Sequence, residues 1–333
     1  MRSASSRILK ITVSVVVSLL AGYLALRNVD FQKVIAGIHR ANLTLIVLVL
    51  LLHATTQVVR SLRWGMLLKP LEPLSQRLLL PITCIGFLFV WILPARLGEM
   101  ARPYLLNQNS RVGLSAAMGS VVLERLVDAG FLVFLLAMCL PALRIPGWLH
   151  TWFQGFFWVL GSAALLLLLG SVPRFRNCCL QVVFKFFPEA MVSFLSRILE
   201  TFYSGMQAAA SIRRLLAVLA LTAVMWGITA VANMVLFQAM DLQLGWLAAV
   251  TVLVLTCLGI ALPAAPGFIG NYHYACVLAL TLLGVVKETA LAFAIVIHFI
   301  LALVIVLMGV SFMSTIRLKM GFAVKRQHPG AKV

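Results

Sequence analysis

The chain has 333 residues, of which 62% are hydrophobic and 11% are charged. A soluble domain is about 45–50% apolar and about 25% charged, so these values exclude water as the main solvent of this protein. The net charge of +18 comes from 27 Lys and Arg in short clusters between apolar runs. This pattern favours loops that face anionic lipid head groups over a nucleic-acid-binding surface.

The N-terminal segment is basic as far as Lys10 and then apolar, without a small-residue cleavage pattern near Leu26. We therefore expect an uncleaved first helix rather than a signal peptide. Crossing about 30 Å of hydrocarbon takes roughly 20 residues of helix, and a spanning backbone must satisfy its own hydrogen bonds. The predicted spanning helices are about 8–26, 42–59, 114–141, 151–172, 215–239 and 289–313.

Three connections between spans carry basic and apolar residues together. Residues 27–42 predict a short interfacial helix. Arg60, Arg63 and Trp64 close the second span, and we interpret them as an anchor at the membrane interface. Residues 173–214 form the longest polar connection, and part of it is predicted to lie on the cytoplasmic surface.

Two apolar segments, 78–106 and 246–284, are interrupted in the same way. Each breaks at a Leu-Pro-Ala sequence, at 93–95 and 262–264, which is followed by glycine. Corresponding Pro/Gly-interrupted segments in two halves indicate a transporter site built from broken helices. We predict two re-entrant hairpins related as an inverted repeat. The alternatives are two ordinary helices that end at proline, or two complete spans.

The distribution of basic residues predicts the topology. With both interrupted segments as hairpins, 21 Lys and Arg lie in loops on one side and 5 on the other. The basic side is cytoplasmic, so both termini are predicted to be cytoplasmic, in a bacterial inner membrane. We expect one all-α membrane domain over 1–333, with a core at 8–316 and a basic tail at 317–333. The oligomeric state stays open, a homo-oligomer included.

Charged side chains inside apolar segments are the first site candidates, since such a charge costs at least about 2.5–3.5 kcal/mol near the bilayer centre. Glu124 and Asp128 lie four residues apart on one helix face, with Arg125 beside them. We interpret them as lining a functional cavity. The alternative is a structural pair in the first turns, near the cytoplasmic interface.

A second group of candidates follows the first interruption. Arg96 and Arg102 flank Glu99, and guanidinium groups offer a fixed fork of donors to a phosphate. Glu99 would compensate a nearby arginine or accept a hydrogen bond from a head group. A solvated loop is the alternative.

The second interruption supplies the third group, Pro266, Gly267, Gly270, Asn271, Tyr272 and His273. Glycine permits tight turns and close approach, and free amides at the start of a half-helix can bind an anion. His273 taken singly is more typical of an ordinary lining residue than of a proton relay.

Neither a metal nor a cofactor is expected. The six cysteines show no CxxC spacing and the six histidines no HxxxH pair. The sequence contains no GxxxxGK[ST] loop, so ATP is not expected to drive the protein directly.

Four segments in this order carry a family resemblance: Arg60-Ser61-Leu62-Arg63-Trp64, Leu93 to Pro103, Glu124-Arg125-Leu126-Val127-Asp128, and Pro263 to Gly270. Through their combination the chain resembles the flippase-like transmembrane domain of the lysylphosphatidylglycerol synthase family, over about residues 8–315. Full synthases carry a soluble aminoacyl-transferase domain after it. We expect a stand-alone member, because this sequence stops shortly after its last predicted span.

The resemblance implies a flippase or transporter for a polar-headed lipid, which is the expected partner: a phospholipid, a hopanoid or an isoprenoid-linked lipid. One alternative is a membrane-embedded transferase with Glu99, Glu124 or Asp128 as general base. Another is an accessory subunit that transports nothing.

The candidate groups are predicted to converge on one cavity near mid-membrane, because exposed backbone or charge in hydrocarbon is tolerated only when it is buried in protein or lines water. Loss of Arg96 or Glu124 is expected to abolish transport while the protein stays folded.

Overall fold

The computed structural model describes residues 2–93, 98–139 and 211–316, with five isolated positions between 151 and 205 and with the backbone alone for 2–11. All regular structure in these ranges is helical, which confirms the predicted fold class there. Four predicted features lie wholly or largely outside the described residues: Arg96, the span 151–172, the connection 173–214 and the tail 317–333.

The described helices follow one another with short connections. In chain order they are α1 (Arg2–Leu26), α2 (Phe31–Arg40), α3 (Leu43–Leu68), α4 (Gln76–Ile92), α5 (Ala101–Asn109), α6 (Leu114–Cys139), α7 (Ile212–Ala239), α8 (Trp246–Ala261), α9 (Asn271–Leu282) and α10 (Lys287–Ser311). A 3₁₀ turn, Pro266–Phe268, precedes α9. The helix predicted within 27–42 is confirmed as α2, whereas its interfacial position stays a prediction.

Three described helices, α3, α7 and α10, are long and apolar enough to cross a membrane. Helices α1 and α2 meet at 84° and make a fourth candidate if the bent pair is one span. Helix α6 has 26 residues but carries three charges in its middle. These helices define a membrane protein, whereas six complete spans stay a prediction.

The distribution of polar and apolar side chains differs from that of a soluble protein. Large apolar side chains such as Leu51, Leu216 and Phe299 are exposed on the outer helix faces. Charged side chains such as Arg63 and Glu124 are buried. An apolar exterior, with charged groups kept inside the protein, is the arrangement that hydrocarbon surroundings favour.

Helices α3 and α7 make the most extensive helix pair, and α10 packs against α2, α3, α4 and α9. Around them the two interrupted segments each form a helix, a break and a second helix that packs on the first, α4 with α5 and α8 with α9. We call residues 93–100 the first break and residues 262–270 the second break. Both breaks therefore connect helices that fold back on each other.

Glycine permits the close approach at each break. A Cβ on Gly98 would lie 2.2 Å from the carbonyl carbon of Phe89 in α4. Gly270 has a φ of +90°, and a Cβ there would lie 2.1 Å from the carbonyl oxygen of Ser18 in α1. Gly98 of the first break is thus close against α4, and Gly270 of the second break is close against α1.

Candidate functional site

The centre of the candidate site is Glu124, which α6 holds fully buried. Arg102 approaches it with two nitrogens, Nη1 donating to Oε1 at 3.1 Å and Nη2 donating to Oε2 at 3.0 Å. Arg63 Nη2 donates to Oε1 at 3.0 Å, and Arg125 Nη2 donates to the same oxygen at 2.6 Å. One carboxylate therefore accepts hydrogen bonds from arginines on three helices.

Asp128 extends this network by one helical turn. Both terminal nitrogens of Arg63 donate to it, Nη1 to Oδ1 and Nη2 to Oδ2 at 3.0 Å. Arg125 Nη2 lies 3.4 Å from the same Oδ2. Arg63 Nη1 also donates to Thr222 Oγ1 in α7 at 3.0 Å. The network ties α3, α5, α6 and α7 together.

The charges of the network do not cancel. Burying an ion costs several kcal/mol, which only good geometry and further hydrogen bonds offset, and the paired contacts of Arg63 and Arg102 supply that geometry. Arg60 and Glu99 lie on the adjoining cavity wall. Together these are four arginines and three carboxylates, so one positive charge stays unneutralised in the part of the site that the structure describes.

Aromatic rings support the arginines. The Arg102 guanidinium carbon lies 4.3 Å from the ring centroid of Trp64, whose Nε1 donates to Ser120 Oγ at 3.1 Å. The guanidinium of Arg60 lies 4.6 Å from the ring centroid of Phe87. Cation–π contacts of this kind stabilise a guanidinium that has left water.

A cavity of about 190 Å³ lies beside the network. Glu99, Arg102 and Arg125 form its charged wall, whereas Phe268 and Tyr272 belong to the second break and the start of α9. The cavity therefore joins both interrupted segments. Glu124 and Asp128, which were predicted to line it, lie beside it in the network instead. Its depth in a bilayer stays a prediction.

The second break is held by neutral hydrogen bonds. Ser18 Oγ donates to Asn271 Oδ1 at 3.0 Å and accepts from the Ala265 amide at 2.7 Å. Asn271 Nδ2 donates to the carbonyls of Gly259 and Pro263 at 3.4 and 3.3 Å. These bonds satisfy backbone that has left the helix, and they fasten the break to α1.

A stack of rings lies between the second break and α4. His298 in α10 donates from Nε2 to the Gly267 carbonyl at 2.8 Å. Its ring stacks between Trp91 and Tyr272, with centroid distances of 5.0 and 4.9 Å. His273 packs against the edge of the same histidine at 4.6 Å. The ring stack therefore connects the end of α4 to the second break.

The structure brings six predicted site residues to the network or to the cavity wall: Glu99, Arg102, Glu124, Arg125, Asp128 and Tyr272. Four others shape the second break: Pro266, Gly267, Gly270 and Asn271. His273 does not line this cavity, and Arg96 lies outside the described residues. That these residues contact a substrate stays a prediction.

The interpretation of Arg60, Arg63 and Trp64 as an interface anchor is wrong. Arg63 and Trp64 are 1% and 0% exposed, and Arg60 lines the cavity. The physical reason is charge balance, since Glu124 and Asp128 cannot both be compensated by one neighbouring arginine. This excess of negative charge was the signal in the sequence that another helix, here α3, supplies a buried cation.

Sequence reasoning also missed four polar residues of the cavity wall, His53, Thr56, Gln57 and Trp226. His53, Gln57 and Arg60 follow the spacing i, i+4 and i+7 within an apolar helix. Such spacing places them on one helix face, and this was the available signal. Trp226 in α7 offered none.

Fold and site together define an all-helical membrane protein whose interior holds ionised side chains around a cavity. The family follows from comparison with known sequences: residues 9–309 match the family described as Lysylphosphatidylglycerol synthase TM region. The match covers most of the chain, so the chain belongs to this family, and the resemblance stated from its motifs is confirmed. The family indicates a membrane lipid-related function. No curated protein and no solved structure matches the chain.

Proposed function

We propose that this protein moves a polar-headed lipid between the leaflets of a bacterial inner membrane. The observation that carries the proposal is the cavity that the charge network and the second break share. A polar group transferred into apolar surroundings without a partner costs several kcal/mol. Side chains of this cavity would replace water around the head group, while the acyl chains stay in the bilayer.

The hydrogen bonds of the carboxylates favour transport over transfer chemistry. A general base needs a free lone pair directed at the proton that it removes. Glu124 accepts from three arginines and Asp128 from Arg63. Carboxylates engaged in this way suit a fixed electrostatic wall better than a catalytic base.

The two interrupted segments support an alternating arrangement of two inverted halves. Helices α4 and α8 have 17 and 16 residues, or about 25 Å at roughly 1.5 Å per residue, which is short of a full crossing. Each is followed by a break and a shorter packed helix. We infer re-entrant hairpins that accompany six spans, related as an inverted repeat.

The inferred topology places both termini in the cytoplasm because of the bias in basic residues. A reporter that is active only in the periplasm, fused after Val333, is expected to be silent. Activity of this fusion would overturn the topology.

Reconstitution in liposomes with fluorescent lipids tests the function. We expect leaflet exchange without any donor substrate, and its loss in Arg102→Gln. The matched control is Arg213→Gln, an exposed arginine in the first turn of α7. A modified lipid formed only when a donor is added would establish a transferase instead. If neither leaflet exchange nor a modified lipid is observed, the protein would be an accessory subunit.

A further inference from the structure

Three buried neutral side chains of the cavity wall have a polar atom without a hydrogen-bond partner among the described residues, beside the Nε atoms of Arg102 and Arg125. The atoms are His53 Nε2, Gln57 Oε1 and Trp226 Nε1, and the residues are 3%, 3% and 9% exposed. An unsatisfied buried donor or acceptor costs about 1–3 kcal/mol. Three of them around one cavity indicate a ligand that satisfies them when it is bound.

A cation accompanies these polar atoms on the same cavity wall. Arg60 lies on the α3 face that carries His53 and Gln57, and it contacts Phe87. No carboxylate of the described residues forms an ion pair with it, whereas Arg63, Arg102 and Arg125 are all paired. The wall is therefore prepared for an anion.

We propose that the head group bound here is a phosphate bearing hydroxyl groups, an anionic polyol phosphate rather than an amine-bearing group. The inference rests on the proposed function and names its substrate class. An indole N–H only donates, an amide oxygen only accepts, and an imidazole nitrogen does either according to its tautomer. Hydroxyl groups both donate and accept, so they match this mixed set.

An ammonium group matches the site poorly. It donates but cannot accept, so the ammonium group itself cannot pair with the Trp226 N–H. It would also approach the unneutralised positive charge of Arg60, and like charges in one binding site disfavour each other. The phosphate has the opposite sign and suits the planar guanidinium.

The cavity is too large for one ordered water to replace such a ligand. A single water needs roughly 10–15 Å³ of this kind of volume, against about 190 Å³ here. A phosphate with a small polyol fills more of this space and reaches separate walls.

The test compares four fluorescent lipids with identical acyl chains in the same proteoliposomes. Phosphatidylglycerol and phosphatidylinositol carry hydroxyl groups and no amine. Phosphatidylethanolamine carries an amine and no hydroxyl group, and lysylphosphatidylglycerol carries amines beside one remaining hydroxyl group. We expect the first two to exchange between leaflets roughly tenfold faster, the ratio that one lost buried hydrogen bond gives. Equal or faster exchange of the amine-bearing lipids would overturn the inference.

Binding is measured beside exchange, as thermal stabilisation in mixed micelles of each lipid. Selective stabilisation by the hydroxyl-bearing lipids without exchange of any lipid would retain this inference and overturn only the transport proposal. Absence of selectivity in binding would overturn the inference whatever the exchange shows.

Two variants connect the selectivity to these atoms. Trp226→Phe removes the N–H and keeps a ring, and Gln57→Leu removes the amide. Each is expected to lower exchange of phosphatidylglycerol roughly tenfold and to leave phosphatidylethanolamine unchanged. Trp246→Phe and Gln238→Leu are the matched controls, because both residues are exposed and lie outside the cavity wall. If both cavity variants keep the lipid selectivity of the unmodified protein, Trp226 and Gln57 do not bind the head group and the inference is overturned.

Discussion

The two breaks interrupt helices of similar length, yet different chemistry stabilises them. Arg102 lies in the first turn of α5, directly after the first break, and forms a paired contact with Glu124. At the second break, Ser18 and Asn271 supply neutral hydrogen bonds to the backbone. One side of the cavity is therefore ionic, and the other is built from main chain and rings.

This difference separates two tasks. Ionic contacts in a low dielectric act strongly on a charged ligand, so we propose that Arg102, in α5 after the first break, takes part in recognising the head group. Neutral bonds to main chain fix the path of the backbone and leave the net charge unchanged. We expect changes at the first break to act on folding and on lipid selectivity, and changes at the second break to act on folding alone.

Glu124→Gln is expected to cause the largest loss of stability, about 3–5 kcal/mol, because removing one partner leaves buried charges uncompensated. The sequence alone predicts an intact fold for this variant, but the contacts with three arginines argue against that expectation. The measurement is the free energy of unfolding in mixed detergent micelles, followed by tryptophan fluorescence.

The control for this change is Glu288→Gln, in the first turn of α10. It is expected to stay within about 0.5 kcal/mol of the unmodified protein. If Glu124→Gln is as stable as Glu288→Gln, the contacts of Glu124 with the three arginines do not stabilise the protein.

Gly270→Ala is expected to have the next largest effect, about 2–4 kcal/mol of lost stability from strain and overpacking together. The positive φ disfavours a side chain, and the new Cβ would also meet the Ser18 carbonyl oxygen at 2.1 Å. Gly284→Ala isolates the strain, since Gly284 has a φ of +84° and open space around it. If both variants lose the same amount of stability, the close contact between Gly270 and α1 does not contribute to the stability of the second break.

Local patterns were enough to predict much of this molecule. Long apolar runs located α3, α7 and α10, and the four-residue spacing of Glu124 and Asp128 placed both carboxylates on one helix face. The repeated Leu-Pro-Ala and glycine pattern located both breaks. Each of these features depends on residues that are close in sequence.

The pairing of distant residues could not be predicted in this way. Arg63 lies 61 and 65 positions from its two carboxylate partners. The local sequence around a basic residue near a helix end is the same whether that residue forms a buried ion pair or anchors the helix at the membrane interface. Ser18 lies 253 positions from Asn271, and a serine in an apolar helix has many uses. The sequence showed that charge had to be balanced, without showing which helix would balance it.

Ser18→Ala is expected to cost about 1–3 kcal/mol, because the Ala265 amide loses its acceptor inside the protein. Ser14→Ala is the control, since it removes a buried hydroxyl one turn earlier in the same helix. Both are measured by unfolding in mixed micelles. A Ser18→Ala variant as stable as Ser14→Ala would argue that the hydroxyl does not hold the second break.

The smallest expected effect is the coupling between the two breaks. Arg102 and Ser18 share no hydrogen-bond partner within the described ranges, so Arg102→Gln and Ser18→Ala should add to within about 0.5 kcal/mol in a double-mutant cycle. Trp91 and Phe268 provide the positive comparison, because their rings meet edge to face at 5.8 Å across the two segments. Truncating both should give a coupling of about 0.5–1.5 kcal/mol. If Arg102 and Ser18 couple as strongly as that ring pair, the two breaks form one cooperative unit, and the division between an ionic side and a backbone side fails.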